Sequence, residues 1–518
     1  MPKFYITTPL YYVNSKPHIG HSYTNIAVDT LSRYCRFKGY DVFFMTGTDE
    51  HGEKIEKATL ARGFKEGEEK KFVDEIVPVF RSLWDKLNIK YDYFIRTTDP
   101  QHIKAVQAVL EKLYKEGKIY KKVYKGWFCT PCETFWSEAQ ADAGICPDCK
   151  RRLEKLDEEN YFFKISEYQD WLLDYIKSNP DFIKPEFRKN EVLGFLKEPL
   201  LDLCISRSKK RMSWGIEVPF DKNFVTYVWF DALINYISGI GYPDDAAKLE
   251  KYWPADFHVI GKDILRHHAV YWPIMLHALG LKPPRTIFAH GWWVVKGEKM
   301  SKSRGNIVDP LSLIERYGID AYRYFLLREV PFGLDGAFSE ETLISRYNSD
   351  LANDLGNLLN RTLTMVEKYF AGNVPGVDVS KCQCVKGVEE LKSKALGLAD
   401  EMEKAMPQLD FVTALTKVWE VINIANKLIE DSKPWALAKE NRQEELSQLL
   451  YGLLESLRII SLSIYPFMPV TADSIMVQLG MEGHAPEMNV SDGKSWGMLK
   501  AGSSIKKSNP LFPRIENK

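Results

Sequence analysis

Lys3 to Thr8 reads as a strand. After a Pro- and Gly-containing loop, Tyr23, Ile26, Ala27, Leu31 and Tyr34 recur at helical spacing, and the run Val42, Phe43, Phe44, Met45 reads as a second, buried strand. Strand, helix, strand with a loop after the first strand is the opening of a doubly wound sheet. The same sequence of elements returns at Phe257 to Ile260 (strand), Ile264 to Leu279 (helix) and Thr286 to Ala289 (strand). Between the two groups, residues 119–225 are rich in turn formers and short strands and read as an insertion that splits the sheet. From about residue 340 the period becomes helical, with Leu343, Tyr347, Leu351, Leu358 and Met365 on one stripe and further amphipathic stretches at Leu391 to Glu403 and Phe411 to Asp431. The pattern predicts an α/β Rossmann-type doubly wound parallel sheet in two halves, 1–118 and 226–340, an insertion at 119–225, and an all-α bundle over 341–518.

Composition narrows this only a little. A chain of 518 residues exceeds one compact core, and 45 % hydrophobic with 27 % charged residues is ordinary globular usage. Lys plus Arg and Asp plus Glu both number 70, so any nucleic-acid site is a local patch; Lys209, Lys210 and Arg211 together read as a solvated turn. No secretory leader opens the chain and no membrane-length apolar run occurs in it, so a cytoplasmic protein without membrane attachment is expected.

Two segments carry phosphate chemistry. Pro17-His18-Ile19-Gly20-His21 lies where the first strand gives way to a helix, so backbone N–H groups and the helix dipole face a bound anion, with two histidines flanking a glycine that permits close approach. Lys299-Met300-Ser301-Lys302-Ser303 sets two ammonium groups three residues apart in a polar loop, suited to charge developing on pyrophosphate. Either alone is a weak pattern; together, at opposite ends of a split nucleotide fold, they reinforce each other.

Cys129-Thr-Pro-Cys132 and, thirteen residues later, Cys146-Pro-Asp-Cys149 are two knuckles able to wrap one tetrahedral Zn²⁺. Four thiolates leave no open coordination position, so the expected metal is structural, within a knuckle at about 126–152.

His18 to His21 and Lys299 to Ser303 resemble, without substitution, the two signature motifs of class I aminoacyl-tRNA synthetases. The resemblance implies that His18, Gly20 and His21 contact ATP, that Lys299 and Lys302 stabilise departing pyrophosphate, and that Mg²⁺ accompanies ATP. Thr7 to Asn14, Thr46 to Gly52 and Tyr227 to Tyr236 are similar to the methionine-specific members. That likeness implies a methionine pocket of Leu10, Tyr12, Trp229, Ala232, Leu233 and Tyr236 with His290 facing them, and Asp49 on the α-ammonium group. Gly261-Lys262-Asp263 resembles the ribose site, with Gly261 and Asp263 on ATP. Asn357 and Arg361, one helical turn apart, together with Trp435, look like readers of the tRNA(Met) anticodon, which makes the bundle an anticodon-binding domain.

The nearest rivals share both motifs. An insertion of roughly a hundred residues leaves no room for the editing domain of the leucine, isoleucine and valine enzymes, and the cysteine enzyme needs an open zinc position. A zinc-knuckle RNA-binding protein leaves both phosphate motifs unexplained, and a small-molecule nucleotidyltransferase leaves the knuckle and bundle unexplained. Many members append a dimerising β-barrel; the sequence stops before one, so a monomer is expected.

Overall fold

The computed structural model describes residues 1–129, 134–136, 138, 141, 144–147, 150–295, 298–299, 308–377, 386–481 and 489–516. By contact the chain separates into two compact units: Lys3–Val28 with Val42–His290, and Met1–Pro2 and Asp29–Asp41 with Gly291–Lys518.

The first unit is built on a six-stranded sheet in the order Tyr93–Arg96, Asp41–Asp49, Lys3–Tyr12, Phe257–Gly261, Thr286–His290, Ile183–Lys184. Tyr93–Arg96 runs parallel to Asp41–Asp49, Lys3–Tyr12 to Phe257–Gly261, and Thr286–His290 to both of its neighbours. Helices on both faces bury such a sheet, so its strands need not show a wet side. Phe4 through Pro9 are accordingly all buried. Thr7 and Thr8 are paired with neighbouring strands: Thr7 Oγ1 lies 2.8 Å from His258 Nδ1, and Thr8 donates to Thr46 Oγ1 at 2.7 Å. The edge strand Ile183–Lys184 comes from within the segment read as an insertion.

The rest of that segment holds an antiparallel sheet and two helices, Gln169–Ser178 and Glu186–Phe195. Ile119–Cys129 pairs with Glu154–Phe163 from Ile119 opposite Phe163 to Phe128 opposite Glu154, and Thr134–Trp136 and Leu203–Cys204 flank the pair.

The second unit is dominated by helices, among them Asn357–Phe370, Val388–Ala405, Phe411–Ser432, Gln443–Ile464 and Pro469–Gln478. Gln443–Ile464 is buried along almost its whole length, as befits the central helix of a bundle. Its only charges within that buried run, Glu455 and Arg458, satisfy each other at 2.9 and 3.0 Å, and Glu455 Oε1 also accepts the Leu499 N–H at 2.5 Å. A π-helical stretch, Tyr347–Gly356, precedes Asn357–Phe370; carbonyls of Asp350 and Asp354 within it accept from Trp419 Nε1 and Asn426 Nδ2 of the neighbouring helix Phe411–Ser432. Among the described residues no helix is long and apolar enough to cross a membrane.

Candidate active site

The strand Lys3–Tyr12 ends on two tyrosines that face opposite ways. Tyr11 meets the ring of His21 edge-on at 4.9 Å and accepts from Asn25 Nδ2 at 2.7 Å. Tyr12 meets Trp229 edge-on at 6.4 Å and 89°, with the Lys54 ammonium 4.4 Å from its ring centroid. One strand end therefore joins the histidine loop to an aromatic wall.

The histidine loop is a capping arrangement. The helix Ile19–Phe37 starts directly after His18. The Gly20 N–H donates to His18 Nδ1 at 3.1 Å, and the His18 N–H donates to His21 Nδ1 at 3.1 Å. This is the reciprocal logic of a capping box with imidazoles in place of hydroxyl and carboxylate. Because both Nδ1 atoms accept, each ring carries a hydrogen on Nε2. The rings stack at 3.9 Å and 27°. Burial, reinforced by the proximity of His18, holds His21 well below the usual histidine range, so it stays neutral. A Cβ at Gly20 would lie 2.9 Å from His18 Cε1, so any side chain there would have to displace the His18 ring.

The aromatic wall lies on the helix Val228–Leu233 and the turn after it. Trp229 stacks on His267 at 3.9 Å and 21°, and its indole N–H has no hydrogen-bond partner among the described residues. Ala232, Leu233 and Tyr236 are buried. Tyr236 stacks on His258 at 4.0 Å, and its hydroxyl meets His268 Nε2 at 2.7 Å. Leu10 is half-buried against the same core.

His290, expected to face this wall, has its Nε2 2.7 Å from Thr24 Oγ1 and its ring edge-on to Tyr23 at 5.2 Å. The histidine rings against Trp229 and Tyr236 are those of His258, His267 and His268, none of which the sequence spacing singles out; the last two fall inside the span Ile264 to Leu279 predicted as one helix. The structure keeps that span helical but varies its winding, from a 3-10 turn at Lys262–Ile264 through a π turn at His267–Tyr271 to an α-helix at Trp272–Leu279, and the π turn carries both rings.

Asp49 is buried at the end of Asp41–Asp49, and its carbonyl accepts the Val13 N–H at 3.4 Å. The residues after it are tied down by charge. Glu50 receives Arg96 at 2.7 and 2.8 Å, Thr48 at 2.6 Å and Thr98 at 2.7 Å. His51 Nδ1 lies 2.8 Å from Asp231 Oδ2. Neither network was visible in the sequence. Asp263 is exposed on the turn after Phe257–Gly261, and a Cβ at Gly261 would sit 2.7 Å from its Oδ1, so glycine admits that carboxylate.

Lys299 pairs its backbone with Val294 in a short antiparallel strand; Lys302 lies outside the described residues. In the helical unit, Arg361 pairs with Glu430 at 2.7 Å, which places it beside the helix leading into Trp435. Trp435 is 48 % exposed, and Asn357 is exposed at the head of its helix.

Cys129 and Cys146 are buried in one small cluster with Trp136 and Leu153, while Cys132 and Cys149 lie outside the described residues. Around Cys146 the chain turns tightly: its carbonyl accepts the Lys150 N–H at 3.0 Å, its N–H donates to the Arg151 carbonyl at 2.8 Å, and Lys150 takes a left-handed φ of 60°. Two soft thiols brought together on facing segments fit the zinc chemistry read from the spacing.

A doubly wound parallel sheet with His18, Gly20 and His21 at the helix after its first strand is the framework of a class I aminoacyl-tRNA synthetase. Residues 4–158 and 152–363 match the family described as tRNA synthetases class I (M), and residues 385–518 match the anticodon binding domain of methionyl tRNA ligase. The chain is 50 % identical over 515 residues to a methionine–tRNA ligase of Caldanaerobacter subterraneus, covering 99 % of this chain and 79 % of that one. It is 46 % identical over 521 residues to that of Thermotoga maritima, covering 100 % and 81 %. Among solved structures, a Mycobacterium tuberculosis methionyl-tRNA synthetase in complex with methionyl-adenylate superposes with a TM-score of 0.93 at 41 % identity, covering 99 % of this chain and 100 % of that one. The chain belongs to the methionyl-tRNA synthetase family.

Proposed function

We propose that this chain activates L-methionine with ATP to methionyl-adenylate and then transfers the methionyl group to the 3′-terminal adenosine of tRNA(Met). The observation that carries this reading is the pair of adjacent tyrosines, Tyr11 against His21 and Tyr12 against Trp229, which sets an apolar aromatic pocket beside an anion-binding helix start. An unbranched, polarisable thioether suits contact with aromatic rings. In this reading Leu10, Tyr12, Trp229, Ala232, Leu233 and Tyr236 line the side-chain pocket, with His267 and His268 behind it, and Asp49 holds the α-ammonium group.

In the first step the methionine carboxylate attacks the α-phosphorus of ATP in line, and the bond to the bridging oxygen of pyrophosphate breaks. The Nε2–H groups of His18 and His21 donate to phosphate oxygens, where negative charge accumulates. Lys299 and Lys302 neutralise the leaving pyrophosphate, and Asp263 accepts from the ribose hydroxyls. Mg²⁺ bound with ATP supplies further charge neutralisation on the phosphates. In the second step a hydroxyl of the terminal ribose attacks the carbonyl of the adenylate and AMP leaves. Asn357, Arg361 and Trp435 read the anticodon, with the exposed indole available to stack on an unpaired base.

Cys129, Cys132, Cys146 and Cys149 would hold one Zn²⁺, which orders the end of the antiparallel insertion and takes no part in the chemistry. The proposed division is 1–118 and 226–340 as the catalytic halves, 119–225 as the connective insertion and 341–518 as the anticodon-binding part. A cytoplasmic location completes the reading.

The deciding experiment is amino-acid-dependent exchange of labelled pyrophosphate into ATP with each of the twenty amino acids in turn. Exchange with methionine alone is expected. Exchange with another amino acid overturns the pocket, and no exchange with any overturns the catalytic reading.

A further inference from the structure

The two walls of the proposed methionine pocket are separate in sequence, and a single buried carboxylate spans them. Asp231 is fully buried on the helix that carries Trp229, Ala232 and Leu233. Its Oδ2 lies 2.8 Å from Nδ1 of His51, two residues beyond Asp49, and its Oδ1 lies 2.7 Å from Nε2 of His102. His102 is itself buried on the helix Pro100–Lys115, with Nδ1 2.8 Å from Ser238 Oγ. The neighbouring Gln101 donates to the Ser238 carbonyl at 2.9 Å. Helix Pro100–Lys115 therefore holds both ends of the stretch from Asp231 to Ser238, and the stretch holds His51. His51 is confined further by Trp214, whose ring is 5.3 Å away and whose indole donates to the Glu50 carbonyl at 2.5 Å.

A carboxylate in a dry interior is costly unless each oxygen is paired. Asp231 meets that condition by accepting one histidine N–H on each oxygen, an arrangement that fixes direction as well as charge. Burial alone pushes its carboxyl up, and the two histidines outweigh that and hold it below the usual carboxylate range. None of Asp231, His51 and His102 is among the residues assigned to substrate in the reading above.

We infer that Asp231, clamped between His51 and His102, is a positioning residue that sets the spacing between Asp49 and Trp229, and so sets methionine affinity. The inference rests on the methionine reading. It gives the clamp a distinct signature: Asp49 and Trp229 both face the amino acid, whereas the ATP contacts His18, His21 and Asp263 lie elsewhere. A loosened clamp therefore raises KM for methionine and spares KM for ATP.

The test is pyrophosphate exchange with the full chain. Asp231→Asn retains one acceptor oxygen and turns an N–H toward the other histidine, and His51→Ala removes one donor. Both variants are expected to raise KM for methionine by roughly 10- to 100-fold, the loss of one hydrogen bond to a charged group, with KM for ATP unchanged. His51→Asn places an amide N–H where Nδ1 was, and His102→Gln places one where Nε2 was. Both are expected to return KM for methionine close to that of the unaltered chain. If KM for methionine and for ATP rise together, or if the amide variants behave like His51→Ala, the clamp is only structural and the inference fails. A failure of the methionine reading shows separately, as an unaltered chain that exchanges with another amino acid or with none.

Discussion

The Tyr236 hydroxyl lies 2.7 Å from Nε2 of His268, and Nδ1 of the same ring lies 2.9 Å from the carbonyl of Ile264. A carbonyl can only accept, so the ring hydrogen sits on Nδ1, and Nε2 must accept from the tyrosine. A doubly protonated ring would confront the hydroxyl with a second donor. Burial works in the same direction, against the charged form, and brings His268 down to about 4.

This assigns a sign to the pH dependence of stability. The folded protein binds this proton less readily than the unfolded chain, whose histidines titrate near 6.5. The contribution is complete above pH 6.5 and is lost as pH falls from there toward 4, for a total on the order of 3 kcal/mol. Urea unfolding of the unaltered chain and of His268→Gln, each at pH 7 and pH 4.5, is expected to show a smaller loss of stability on acidification in the variant. Equal losses in both would mean that His268 is charged in the folded state.

The periodicities of residues 1–45 and 257–289 were enough to lay out a doubly wound sheet, because a buried parallel strand and an amphipathic helix each write their period locally. Burial of the two threonines of the first strand was not legible, since Thr7 and Thr8 find their partners on neighbouring strands inside the sheet. The histidine motif was legible as a helix start with anion-binding character, but its reciprocal Nδ1 caps were not. His268 was hidden for a different reason: a π turn adds a residue to the helical repeat, so its direction cannot be computed from a spacing of 3.6. Contacts of high sequence separation were out of reach altogether. Asp29, for example, accepts from Arg33 four residues on and from Arg323, 294 residues away, each at 2.7 Å, and no local pattern announces the second partner.

The cysteine knuckle predicts one zinc per chain. Cys129 and Cys146 come from different segments and, among the described residues, share a small buried cluster with Trp136 and Leu153. Elemental analysis of the purified chain is expected to give a one-to-one ratio, and Cys146→Ser to release the metal. Limited proteolysis of that variant should cut first within 119–225 while the helical unit stays intact. Full zinc retention in Cys146→Ser would remove this thiol from the ligand set.

Lys302 acts, in the proposed mechanism, on charge that appears only as pyrophosphate leaves. Lys302→Ala is therefore expected to lower the rate of adenylate formation by about 10²- to 10³-fold, the usual cost of one charge-stabilising donor. Methionine binding, followed by equilibrium dialysis without ATP, should be unchanged because the free amino acid carries no developing phosphate charge. An unchanged activation rate would exclude the lysine from the transition state.

In its proposed role as an anticodon reader, Trp435 is expected to separate the two halves of the reaction. Its indole is 48 % exposed on a short helix that begins after Lys433, whose left-handed φ of 45° ends the long helix Phe411–Ser432. An aromatic ring left this open contributes little to the packing of the bundle, so Trp435→Ala should leave the melting temperature nearly unchanged. Stacking on an unpaired base is worth about 1 to 3 kcal/mol, so kcat/KM for tRNA is expected to fall by roughly 5- to 150-fold. Pyrophosphate exchange, which needs no tRNA, should proceed at the rate of the unaltered chain. If exchange and charging fall together, the tryptophan supports the fold and the anticodon is read elsewhere; if charging is untouched, no base stacks on it.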